Sequence, residues 1–208
     1  MTRAPQRRSR RRSSVALEQL GLALDSGAPR WSFSRLVSGS PHFARIRERI
    51  ELVRGFFPEM NGWTIRVGLV KKRGVLGWGS LDPERPGIWI RPRRLELFTI
   101  GHEMTHLLQA RDMVPRGERQ CDLWTLARSP LLIDSLPSYL KMPRTHQREV
   151  GSDLAAALHR LARAALEARA AGERAYLKRF EREAAGLRPP GPGHFLMRLF
   201  GSKEVASA

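Results

Sequence analysis

Three residues in one short stretch of the chain could support metal chemistry: His102, Glu103 and His106. Residues four apart in a helix lie about one turn apart on the same face, so both imidazoles can reach one ion. Glu103 follows His102 by about 100° around such a helix, at the edge of that face. A carboxylate there can accept a proton from a water molecule that the metal polarises. The spacing therefore predicts a zinc site with an adjacent general base.

The surrounding sequence predicts the helix that these residues need. Apolar residues recur at helical spacing around the pair of histidines: Leu95, Leu97, Phe98, Ile100, Met104, Leu107 and Leu108. Pro115 and Gly117 then end the helix in a turn. The plain alternative is a core or surface helix with two incidental histidines.

Two histidines leave a tetrahedral zinc ion short of ligands, because a catalytic site usually takes three from the protein. A second helix that begins near Glu118 would fold back on the first, with Glu118 and Asp122 on one face. We assign Glu118 as the third ligand and Asp122 as the acceptor for the free ring N–H of a ligand histidine. The reverse assignment is the alternative. Cys121 could ligate as a thiolate, but it points about 100° away from Asp122 and is expected to pack in the core.

At these residues the chain resembles the gluzincin metallopeptidases, in which His-Glu-x-x-His is followed by Glu-x-x-x-Asp on the next helix. Here His102, Glu103, His106, Glu118 and Asp122 match that pattern. The short gap between its halves is similar to that of the minigluzincins and the ImmA/IrrE-like proteases. The resemblance covers roughly residues 42–145 and implies zinc-dependent hydrolysis of a peptide or protein substrate. It also implies an edge strand that pairs with the substrate backbone.

The flanking segments predict an α+β fold with a small antiparallel sheet, a zincin-type active-site helix and C-terminal helices. Residues 41–57 carry an apolar stripe typical of a helix. Alternation over 63–69 predicts a half-buried strand, and 75–78 a short returning strand. Residues 87–91, bracketed by prolines, predict a strand at the sheet edge. The Ala- and Leu-rich stretch 147–186 predicts helices broken near Gly172.

Composition predicts one domain with appendages, because the chain has 208 residues and 41% of them are hydrophobic. The expected divisions are a disordered basic arm (1–14), a zincin-like metallopeptidase domain (15–146), a helical extension (147–186), and a Pro/Gly linker with an amphipathic tail (187–208). The chain has a single cysteine, and we find no segment that we accept as an export signal. Both features indicate a cytoplasmic protein. No apolar run approaches a membrane span.

The formal net charge of +17 indicates an acidic partner, and the arginine-rich arm could bind nucleic acid or only solubilise the chain. The alternative function is therefore a nucleic-acid-associated binding protein with a structural or inactive zinc site. A hybrid, a protease that acts on nucleic-acid-bound substrates, is also open.

Tyr139 and His146 are candidate donors to the oxyanion of a tetrahedral intermediate. Trp78 and Trp89 could line substrate subsites, although we favour the interpretation that they pack within the core and the sheet.

Overall fold

The computed structural model describes residues 30–70, 74, 76–142 and 150–187. The predicted basic arm, His146 and the predicted tail after residue 187 lie outside these residues. Within them the α+β class is confirmed, with six α-helices and a four-stranded sheet.

The first element is a strand that the sequence did not predict, and the remaining order follows the prediction of helix, sheet, histidine helix and carboxylate helix. In chain order the elements are β1 (Arg30–Phe33), α1 (Arg35–Ser38), α2 (Phe43–Arg54), β2 (Thr64–Leu69), β3 (Gly77–Gly79), β4 (Gly87–Ile90), α3 (Leu97–Ala110), α4 (Glu118–Leu126), α5 (Ser152–Ala170) and α6 (Tyr176–Ala185), with 3-10 turns at Pro58–Met60 and Pro130–Leu132.

The sheet is mixed, and the predicted antiparallel arrangement was wrong. Its strand order is β1-β2-β4-β3. Both β1 and β4 pair in parallel with β2, and only β3 runs antiparallel, against β4. Alternation of apolar and polar residues identifies the two faces of a strand but carries no information about its direction, which non-local pairing decides.

The strand β4 lies inside the sheet between β2 and β3, so its predicted edge position was also wrong. Pro86 and Pro92 stand just beyond the two ends of β4. A proline outside the paired residues removes no hydrogen bond from the ladder. The carbonyl of Pro86 even accepts a hydrogen bond from the Arg66 N–H at 3.0 Å. The strand β3 is left as one edge of the sheet.

The inner face of the sheet packs on α2 and α3 and forms the main core. Ile65 and Ile88 meet Ile46, Ile50 and Met104 there, and all five side chains are fully buried. Complete burial of such a side chain stabilises the fold by about 1.5–3 kcal/mol. The core therefore fixes the position of the middle of α3 relative to the sheet.

The helical extension packs on the carboxylate helix rather than standing apart from it. Leu158 and Ala162 of α5 share a second buried cluster with Leu123 and Leu126 of α4, and α6 closes that cluster. Gly172 separates α5 from α6 with a φ of 92°, as predicted for the break. None of the described helices has both the length and the apolar character that a membrane crossing requires.

Candidate metal centre

The helix α3 is held at its start and along one side by α4 and the loop that follows α4. Its first turn is capped by the side chain of Asp134, which accepts hydrogen bonds from the N–H groups of Leu97 at 2.7 Å and Phe98 at 3.0 Å. Further along, Gly101 lets the two helices approach, since a Cβ there would lie 2.9 Å from a methyl group of Thr125. These contacts set the distance between the histidine-bearing and carboxylate-bearing faces.

Three side chains meet where the two helices face each other. The Nε2 atoms of His102 and His106 lie 3.0 Å apart. The Oε2 atom of Glu118 lies 3.2 Å from the first nitrogen and 3.5 Å from the second. Glu118 reaches this position because α4 begins with it, directly after Gly117. A φ of 114° at Gly117 turns the chain there, a conformation that glycine adopts readily and other residues do not.

Asp122 fixes the orientation of the first histidine. Its Oδ1 lies 2.6 Å from Nδ1 of His102, and the carboxylate is almost fully buried. A carboxylate accepts a proton, so Nδ1 carries the hydrogen and Nε2 can offer its lone pair. Burial lowers the pKa of His102, but the hydrogen bond and charge of Asp122, together with the charges of Glu103 and Glu118, raise that pKa overall above its usual value.

Gln109 fixes the second histidine, a role that the sequence analysis missed. Its amide nitrogen donates to the carbonyls of Pro115 at 2.7 Å and Gly117 at 3.0 Å. Both amide hydrogens are therefore used, and Oε1 is the atom that faces Nδ1 of His106, at 2.8 Å. An amide oxygen only accepts, so Nδ1 of His106 carries the hydrogen. The sequence signal for this role was the presence of a glutamine three residues after the second histidine.

The consequence is that three acceptor atoms converge on one point. Two imidazole lone pairs and a carboxylate oxygen at 3.0–3.5 Å repel one another unless a proton or a cation lies between them. A tetrahedral zinc ion with bonds of about 2.0–2.2 Å keeps its ligand atoms roughly 3.3–3.6 Å apart. The donor set therefore fits a metal ion, with small adjustments of the side chains.

Cys121 is a second candidate for the third ligand. Ligand atoms of His102, His106 and Cys121 all lie within 4.8 Å of one another, so this trio could also hold a metal ion. The thiol, however, donates to the backbone carbonyl of His102 at 3.0 Å and is fully buried. Burial also raises the pKa of the thiol well above its usual range, which opposes the thiolate that a metal needs. The carboxylate of Glu118, by contrast, is exposed and opens to the cleft.

Glu103 lies beside this triangle under the edge strand. A Cβ at Gly77 would overlap the Glu103 carboxylate, and one at Gly79 would lie 2.8 Å from Cβ of His106. The two glycines therefore let β3 approach the helix closely. Burial raises the pKa of Glu103 to about 7, opposed by the nearby His102 and by a backbone hydrogen bond from Gly79. A carboxylate with that pKa can exchange a proton near neutral pH.

A cleft of about 440 Å³ opens in front of the triangle. Its walls include Leu76 and Gly77 on one side and the loop that ends at Tyr139 on the other. The Tyr139 hydroxyl and the Oε2 atom of Glu96 are buried without a hydrogen-bond partner among the described residues. Burial raises the pKa of Tyr139, so its hydroxyl stays a donor. Unsatisfied buried groups in a cleft are available to a ligand.

A smaller hollow of about 170 Å³, lined by Leu81 and Arg116, continues past His106 on the far side of Glu118. Trp78 and Trp89 line neither space, because they project from the opposite face of the sheet.

In comparisons with known proteins, no family model, curated protein or solved structure matches the chain. The case for a function therefore rests on the geometry of this centre.

Proposed function

We propose that the chain is a zinc-dependent peptidase of the kind that its motif resembles. The observation that carries the proposal is the triangle of His102, His106 and Glu118, with separations of 3.0–3.5 Å, beside the buried Glu103. Two nitrogen ligands and one oxygen ligand suit zinc better than a hard cation, and they leave one position for water. Zinc there would lower the pKa of that water and polarise a substrate carbonyl.

The residues of the chain supply the proton transfers. Glu103 accepts a proton from the attacking water and delivers it to the nitrogen of the leaving amine, for which a pKa of about 7 is well matched. Asp122 and Gln109 keep both histidine rings in the tautomer that leaves Nε2 free. The Tyr139 hydroxyl, buried without a partner, is a donor available to the developing oxyanion.

The sheet edge supports a peptide as the substrate. Among the described strands, β3 pairs only with β4, and Leu76 and Gly77 at its start line the cleft. The free side of an edge strand can hydrogen-bond an extended peptide, which would bring a backbone carbonyl past the zinc ligands. The lone cysteine, buried and unpaired, is consistent with a reducing compartment, so we propose action in the cytoplasm.

Metal content and hydrolysis measured on the same variants test the proposal. The purified chain should contain about one zinc and cleave a mixed peptide library, read by mass spectrometry. His102→Ala and His106→Ala should lose both properties, because two ligands hold zinc weakly. His42→Ala is the matched control, since the side chain of His42 makes no capping hydrogen bond at the start of α2. Full zinc content in both site variants would remove the metal centre, and zinc without cleavage would leave a structural site.

A further inference from the structure

The sheet has a second face, directed away from α3, that none of the described helices covers. Ile65, Val67, Ile88 and Ile90 point into the core, so the residues between them and their cross-strand neighbours point outward. This outer sheet face consists of Arg30, Ser32, Thr64, Arg66, Gly68, Trp78, Gly87 and Trp89.

Two tryptophans form an aromatic surface on this face. The Trp89 ring lies against Gly68 and Gly87, where side chains would collide with it: a Cβ at Gly87 would be 3.0 Å from the ring. Trp78, its cross-strand partner, packs on it with ring centroids 4.5 Å apart and planes inclined by 40°. Trp78 nevertheless remains 55% exposed. An indole this accessible, held by a second ring, offers a rigid stacking surface at little entropic cost.

The charged residues of the outer sheet face are all positive. Arg30 and Arg66 are exposed, and Ser32 and Thr64 beside them are exposed hydroxyl donors. Neither arginine forms an ion pair with any residue of the described ranges, and no acid belongs to this face. The whole chain carries a formal charge of +17. The surface is therefore complementary to a partner that presents negative charge and flat rings together.

We propose that the outer sheet face binds single-stranded nucleic acid, with a base stacked on Trp78 and phosphates held by Arg66 and Arg30. Aromatic side chains and cations on one open surface are the features with which proteins bind single strands without strong sequence preference. The faces of the bases are stacked inside a duplex, so a duplex could contact the arginines but could not stack on Trp78. The arginine-rich arm at residues 1–14 is repelled by the same charges and is a poor occupant. The site is independent of the proposed peptidase activity.

Fluorescence anisotropy with the full chain and a labelled 15-nucleotide oligothymidine tests the site, with a duplex of equal length for comparison. Trp78→Ala should weaken binding by about 5- to 150-fold, the effect of losing one stacked base. Trp78→Phe should retain most of the affinity. Arg66→Ala should reduce the slope of log affinity against log salt by about 0.7. Leu131→Ala and Arg163→Ala change an exposed leucine and an exposed arginine elsewhere and should leave binding unchanged.

The outcomes separate the outer sheet face from general attraction by charge. Binding that is equal in wild type and Trp78→Ala would overturn the proposal, and so would equal affinity for single strand and duplex. Binding that disappears when residues 1–14 are removed, yet is insensitive to Trp78 and Arg66, would assign it to the arm and overturn the proposal too. Hydrolysis and zinc content, measured on the same samples, should be unaffected by Trp78→Ala, so failure here leaves the peptidase proposal intact.

Discussion

The two faces of the edge strand β3 carry different chemistry within three residues. Gly77 and Gly79 face α3, and the absence of side chains there lets the strand approach Glu103 and His106. Trp78, between them, faces the other way and stacks on Trp89. Because successive side chains of a strand alternate, one short segment can shape a metal cleft on one side and an aromatic surface on the other.

The cleft side and the outer face of the sheet also differ in charge. Four carboxylates line the larger cleft, and none of the described residues that line it is a lysine or arginine, although the chain has 37 of these. The outer sheet face carries arginines and no acid. We therefore expect a polyanion to favour the outer sheet face over the cleft. Nucleic acid on the outer face would leave the cleft open to a peptide.

The largest expected effect lies on the cleft side. Glu103→Gln removes the proposed base but no zinc ligand, so it should lower peptide hydrolysis by two or more powers of ten while zinc remains bound. Trp78→Ala should leave the hydrolysis of free peptides unchanged. Rates and zinc content measured for both variants check this contrast. Unchanged hydrolysis in Glu103→Gln would remove Glu103 from the role of base.

The next effect distinguishes a ligand from the residue behind a ligand. Glu118→Ala should weaken zinc binding by more than 100-fold, because a direct bond to the metal is lost. Asp122→Ala removes only the hydrogen bond that orients the His102 ring, and the loss of such a bond typically lowers zinc affinity by about 10–100-fold. Zinc dissociation constants from competition with a chelator decide between them. Tighter retention by Glu118→Ala than by Asp122→Ala would reverse the two roles.

A smaller effect should appear in the stability of the metal-free protein. Folding raises the pKa of Glu103 from 4.5 to about 7, so ionisation opposes folding as pH rises through that interval. Glu103→Gln should therefore gain stability over wild type, by about 3 kcal/mol above pH 7 and almost none below pH 4.5. Urea unfolding with a chelator at pH 4.5 and pH 8 measures this difference. A gain that is equal at both pH values would contradict the pKa shift.

The smallest expected effect compares the same substitution on the two sides of the sheet. Gly77→Ala forces a methyl group against Glu103, and Gly68→Ala forces one against the Trp89 ring. Each should destabilise the protein by about 1–3 kcal/mol, as overpacking does. Gly77→Ala should reduce hydrolysis without changing nucleic-acid binding, and Gly68→Ala should do the reverse. If both variants changed both activities equally, the two faces would not be separate sites.

The local parts of the centre followed from the sequence because short-range physics decides them. The spacing of His102 and His106 fixes their common face once a helix forms, and Pro115 and Gly117 mark the turn that precedes α4. Glu118 then lies 3.2 Å and 3.5 Å from the Nε2 atoms of the two imidazoles, and Asp122 lies behind the first ring. Its role as a ligand stays a prediction until metal is measured.

The non-local parts did not follow, for a physical reason. The partners in the sheet are far apart in sequence, so neither the parallel pairing of β1 with β2 nor the interior position of β4 leaves a local pattern. The close contact of Gly77 and Gly79 with α3 could not be predicted from the strand, because that helix comes later in the chain. The contacts of Gln109 were missed because its acceptors lie in and beyond the following turn.

One amide joins the two halves of the metal centre. Gln109 bonds to the His106 ring and to the carbonyls of Pro115 and Gly117, so the second histidine and the approach to Glu118 cannot move independently. If the centre binds an ion, the fold would therefore arrange its ligands beforehand, and ion capture would involve little rearrangement of the chain. In kinetic terms, the association rate of the metal should be limited by its dehydration and entry. Slow hydrogen exchange at the Cys121 amide, which donates to the Gly117 carbonyl at 3.0 Å, should persist even in a chelated sample.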